Sequence, residues 1–167
     1  MTPDGALTRM HDASALWSVG RVTAAELIRT ACELLVAGFD GPNLAMLAGV
    51  HVRRADEEIG ELLEPALDDV GLPHYPRGSR AGQEAAVRIL ASRVLAGTLA
   101  PRDLAAWAHS AVGHDGIDLA ERLVELDDSY DMLEYLGTTE QELHDEVVAQ
   151  ARRIVGADSS GSPERGT

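Results

Sequence analysis

Apolar side chains return at every third or fourth position along nearly the whole chain, and nowhere do they alternate long enough to make a half-buried strand. A sequence patterned this way buries its stripes by packing helix on helix, so the expected class is all-α. With 167 residues the chain suits one globular domain. The expected form is a compact bundle or array of about seven to eight helices, with residues 1–156 as a single domain.

The helix ends are written in capping chemistry. Thr23-Ala-Ala-Glu26 is a capping box, in which the hydroxyl accepts the Glu26 amide and the carboxylate reaches back. The helix it starts runs to about Ala37, with Leu27, Ala31, Leu34 and Leu35 as its buried stripe and Gly38 as its left-handed stop. Further starts fall at Pro42, near Ala55, at Ser79, at Pro101, after Gly116 and at Thr138 or Thr139. Pro65 is expected to kink or split the helix around it. Leu72–Gly78, with Pro73, Pro76 and Gly78, is the clearest loop. From Ala157 the chain offers nothing large and apolar to bury, so 157–167 reads as a disordered tail.

The halves on either side of that loop resemble each other. Gly20, Leu27 and Ala31 match Gly97, Leu104 and Ala108 at an offset of 77. Gly38, Asp40, Gly41, Leu44 and Ala45 match Gly113, Asp115, Gly116, Leu119 and Ala120 at an offset of 75. The expectation is a repeated helix, Gly-x-Asp-Gly turn and helix, with repeat units over 16–72 and 93–156.

Composition removes several chemistries. All fourteen basic residues are arginine, so a P-loop lysine, a cofactor Schiff base and a Ser-Lys dyad are absent. Cys32 is the only cysteine, which rules out an internal disulfide and a cysteine-rich zinc site, and it reads as a buried spectator. Twenty-eight acids leave a net charge of −14, the wrong sign for gripping a nucleic-acid backbone. Met1–Gly5 lacks a secretory start and no run suits a membrane span, so a cytoplasmic protein is expected. No Gly-x-Ser-x-Gly elbow, Glu-x-x-His pair, His-Glu-x-x-His or calcium loop is present. A non-enzymatic protein without a cofactor is the expectation.

The acids are unevenly placed. Asp115–Glu146 holds twelve carboxylates against Arg122, a local charge of −11, whereas Pro73–Arg102 is basic. Leu119, Leu123, Leu126, Tyr130 and Leu133 form an apolar seam at steps of four and three. That seam leaves Asp127, Asp128, Asp131 and Glu134 on the other faces, although like charges four apart repel. With Tyr135 beside them, these residues are the candidate surface for a basic protein partner. His109, His114 and Asp115 form a looser cluster at a helix end. They are the candidates for a metal or small-molecule site, the competing reading being a helix-end histidine with Asp115 as a cap.

Leu95–Leu104, Leu123–Tyr130, Thr139–Leu143 and the final helix to Ile154 resemble the colicin D-type immunity proteins. The resemblance implies an acidic helical inhibitor of a tRNA-cleaving nuclease toxin, with Asp127, Asp128, Asp131 and Glu134 standing in for substrate phosphates. The chain also resembles small helical proteins of high-GC actinobacteria, a kinship that assigns no activity. The alternative to an immunity-like binder is a helical adaptor or homo-oligomeric scaffold that uses apolar helix faces.

Overall fold

The computed structural model describes residues 2–158. Among these residues are nine α-helices, eight of them seven residues or longer, one 3-10 turn and no strand, so the chain is all-α. No described helix is long and apolar enough to cross a membrane. The chain divides into two compact units, one ending at Gln83 and one beginning at Glu84.

The first unit is built from α1 (Pro3–Ser18), α2 (Ala24–Val36), α3 (Pro42–Ala48), a 3-10 turn (Val52–Arg54) and α4 (Ala55–Asp69). α1 packs on α2, which also packs on α3 and α4, while α3 lies along α4. Met10, Leu27, Leu34, Leu44, Leu47, Ile59, Leu63 and Leu67 fill the core, each stabilising the unit by about 2 kcal/mol through area removed from water. The capping box at Thr23 forms as expected, with both reciprocal bonds 3.3 Å long. Leu35 leaves the expected stripe: it is exposed, because the buried face of α2 is already filled by Leu27, Ile28, Ala31 and Leu34. Cys32 is likewise exposed and not buried, with Sγ 3.6 Å from the Ala48 carbonyl. Pro65 does not split its helix. α4 continues four residues past it, because Leu63, Ala66 and Leu67 are buried on both sides of the missing amide.

α3 is capped from a distance. Its N-cap, Gly41, has no side chain, and Asp69 at the end of α4 supplies the carboxylate instead. Asp69 Oδ2 accepts from the Asn43 and Leu44 amides at 2.8 and 3.0 Å, and Oδ1 accepts from the Asn43 side chain at 3.2 Å. A Cβ on Gly41 would lie 2.7 Å from the Asp69 Cβ, so that position has no room for a side chain. Beyond α4 the loop turns back onto α1. Tyr75 OH meets His11 Nε2 at 3.0 Å, the Arg77 guanidinium lies 4.3 Å over the Trp17 ring, and the Gly78 amide donates to the Ser18 carbonyl at 3.0 Å.

The second unit comprises most of α5 (Arg80–Leu95), then α6 (Pro101–Ala111), α7 (Asp118–Asp131), the single turn α8 (Leu133–Leu136) and α9 (Glu140–Asp158). α6, α7 and α9 pack against one another in every pairing. Leu104, Ala108, Leu123, Leu126, Leu143, Val147 and Ile154 are buried on their inner faces. Thr139 is the cap of α9: its amide donates to Glu142 Oε2 at 2.8 Å and its hydroxyl accepts from the Glu142 amide at 3.1 Å. α9 includes Ala157 and Asp158, two residues assigned above to a tail; the rest of that expected tail, 159–167, lies outside the described residues.

The aligned glycines can be compared within each unit. After α1, Gly20 has φ 75° and the Arg21 amide donates to the Leu16 carbonyl at 2.9 Å. After α5, Gly97 has φ 76° and the Thr98 amide donates to the Arg93 carbonyl at 2.9 Å, the same turn at the same offset. The next pair differs. Phe39, after Gly38, donates to Leu34, whereas in the other unit Gly113 itself makes the corresponding bond to Ala108.

Candidate functional site

Burial of Leu104, Trp107 and Ala108 fixes the rotation of α6 and leaves His109 half-buried. The α6–α7 loop then turns sharply, with Gly113 at φ 75° and Asp115 at φ 62°, a left-handed conformation that aspartate tolerates better than most residues. His114 stands exposed between them. On α7, burial of Leu123, Val124, Leu126 and Tyr130 leaves Asp127 and Asp128 half-buried.

Four of these side chains meet. His109 Nδ1 is 2.8 Å from Asp127 Oδ2 and 3.6 Å from Asp128 Oδ1. His114 Nε2 is 3.1 Å from Asp128 Oδ2. The two imidazoles approach edge to face with centroids 5.2 Å apart. The histidines expected to cluster do so, but their carboxylate is Asp128 and not Asp115. Asp115 is exposed in the loop, and it does not cap: Val112 ends α6, and Ile117 begins α7 without a side-chain cap bond. Ser110 Oγ donates to the Trp107 carbonyl at 3.2 Å.

The expected partner surface is divided by this arrangement. Asp127 and Asp128 are engaged by the histidines, while Asp131 is exposed at the end of α7. The seam does not carry one helix through Leu133, since α7 stops at Met132 and Glu134 and Tyr135 sit on the separate turn α8. Both are exposed. Tyr135 is 74% exposed; sequence reasoning missed its apolar neighbours Met132 and Leu136, each about half exposed. Period-based reading carried the seam through Leu133, and the break at Met132 ends it one residue earlier.

Few cations oppose the acids. Arg122 reaches Glu125 at 3.0 Å and Glu146 at 2.7 Å, and these carboxylates, Glu125 foremost, hold its guanidinium more firmly charged. Arg102 lies 3.6 Å from Glu140. Among the described residues, Asp115, Asp118, Glu121, Asp131 and Glu134 have no basic partner at ion-pair distance. Beside the loop lies a groove of about 340 Å³, whose lining includes the carboxylates of Asp115, Asp118, Glu121 and Glu125.

The Tyr130 hydroxyl on α7 is buried without a hydrogen-bond partner among the described residues. Burial, then the nearby Glu140 carboxylate, pushes its pKa up to about 12.

Comparison with protein-family models, with curated proteins and with solved structures returns no match.

Proposed function

We propose that the chain is a non-enzymatic binding protein whose second unit docks a basic protein. The partner is a nuclease toxin of the kind that the resemblance to colicin D-type immunity proteins implies. The observation that carries this reading is the surface of α8 and the end of α7. There Met132, Tyr135 and Leu136 are exposed together, flanked by Asp131 and Glu134, which have no basic partner among the described residues. Exposed aromatic and apolar side chains supply contact area, and unpaired carboxylates beside them select and steer a cationic surface.

Affinity capture from the source cells, followed by reconstitution with the purified partner, tests it. The captured protein should be basic, and its cleavage of tRNA should be suppressed stoichiometrically by this chain. The double reversal Asp131→Arg with Glu134→Arg should weaken the complex by at least about a hundredfold, since it turns attraction into repulsion at desolvated contacts. A complex indifferent to that reversal overturns the reading.

A second reading rests on the first unit, where Val36 is 90% exposed and Met46 57%. These exposed apolar side chains would serve contact with another copy of the chain. Light scattering that shows salt-insensitive assembly, lost in Val36→Glu, would favour it.

A further inference from the structure

We propose that His109, His114 and Asp128 bind a divalent transition cation of the zinc class. One donor atom from each residue lies within 4.8 Å of the other two. Tetrahedral zinc with ligand bonds near 2.0–2.1 Å places its donors about 3.3 Å apart. His114 Nε2 lies 3.1 Å from Asp128 Oδ2 and His109 Nδ1 lies 3.6 Å from Asp128 Oδ1, so both rings face one carboxylate at distances close to that edge, one on each oxygen. Rotation of the Asp128 carboxylate and a small movement of the two imidazoles bring the donors onto one cation, and the His114 side chain, 58% exposed on a loop, is free to swing.

The donor set selects the cation. Two imidazoles with a carboxylate and no thiolate suit zinc, cobalt or nickel, and they disfavour magnesium and calcium, which take oxygen ligands. Hydrogen bonding alone does not call for this arrangement, because Asp127 already satisfies His109 at 2.8 Å. Asp128 nevertheless draws both rings, and a shared cation accounts for that convergence. Ligation through His109 Nδ1 exchanges its contact with Asp127 for the cation, and the Asp127 carboxylate left beside the site offsets the cation's charge. The site uses none of the residues that carry the docking surface, so each proposal can fail alone.

The test is made on the full-length chain stripped with chelator and titrated calorimetrically with zinc chloride. Cobalt chloride provides a spectroscopic check through its tetrahedral ligand-field bands. One equivalent should bind, and His109→Ala, His114→Ala and Asp128→Asn should each weaken zinc by at least about tenfold, by analogy with lost metal-site residues. Asp131→Asn should leave the affinity unchanged. Since His114 is exposed, its alanine variant should keep the wild-type circular dichroism. Unaltered zinc affinity in that folded variant, an equal loss in Asp131→Asn, or no stoichiometric uptake by the wild type overturns the site.

Discussion

Gly41 and Asp69 show what a single position encodes and what it conceals. Sequence spacing marks Gly41 as part of a turn, but the reason for glycine there lies twenty-eight positions away, in a carboxylate that fills the space of the absent side chain and caps α3. The Leu44 amide above all, with the amide and side chain of Asn43, holds the Asp69 carboxyl below its ordinary 3.8. A depressed carboxylate stabilises the fold above its unfolded pKa, and the contribution disappears as pH falls through the native value. Acid unfolding followed by circular dichroism should therefore show wild type losing stability below about pH 4 more steeply than Asp69→Asn. Gly41→Ala should destabilise by about 1–3 kcal/mol in urea melts, through overpacking against Asp69. Local capping chemistry, as at Thr23, was legible in the sequence because both partners lie within one turn. Exposure of Cys32 and Leu35 was not, because which side of α2 is covered depends on where α1, α3 and α4 pack.

At the level of elements, helix starts were the most legible feature. Proline at the first turn of α3 and α6, and threonine caps on α2 and α9, act locally and need no tertiary information. α1 escaped notice, although Thr2 accepts the Gly5 amide and Pro3 opens the helix, because its buried face is built largely of alanine and serine and gives a faint stripe. The seam of α7 was read too far. Leu123, Leu126 and Tyr130 are buried as the period requires, but Met132 ends the helix before Leu133. Tyr130 marks a weak point in that seam, since its buried hydroxyl has no hydrogen-bond partner among the described residues. Tyr130→Phe should keep or raise the thermal midpoint near neutral pH, because the apolar ring remains and the unsatisfied group is gone. Burial disfavours the phenolate, so wild type is unaffected below the unfolded value of 10.0 and loses stability as pH climbs from there to about 12. Alkaline unfolding should consequently be less steep in the phenylalanine variant.

For the molecule as a whole, net charge was readable directly, and its distribution only partly. The run from Asp115 to Glu146 is a property of the sequence, yet which of its carboxylates stay unpaired is decided by α6 and α9, which bring His109 and Glu146 alongside α7. No spacing rule connects His109 to Asp127, eighteen positions on, which explains why Asp115 looked like the nearer partner. A complex made through Asp131 and Glu134 should weaken as sodium chloride is raised from about 0.05 to about 0.5 M, since screening shortens the reach of exposed charge. Surface plasmon resonance would locate most of that loss in the association rate. The loop that follows α4 has a further consequence at this scale. Trypsin cuts this lysine-free chain only after arginine, and the Arg77–Gly78 bond, in the loop between α4 and α5, is on its face an inviting target. Its arginine is stacked on Trp17 and its glycine is tied to Ser18, so threading the peptide into a protease requires the anchors to be released first. Brief digestion should leave that bond intact, and Trp17→Ala should turn it into an early nick.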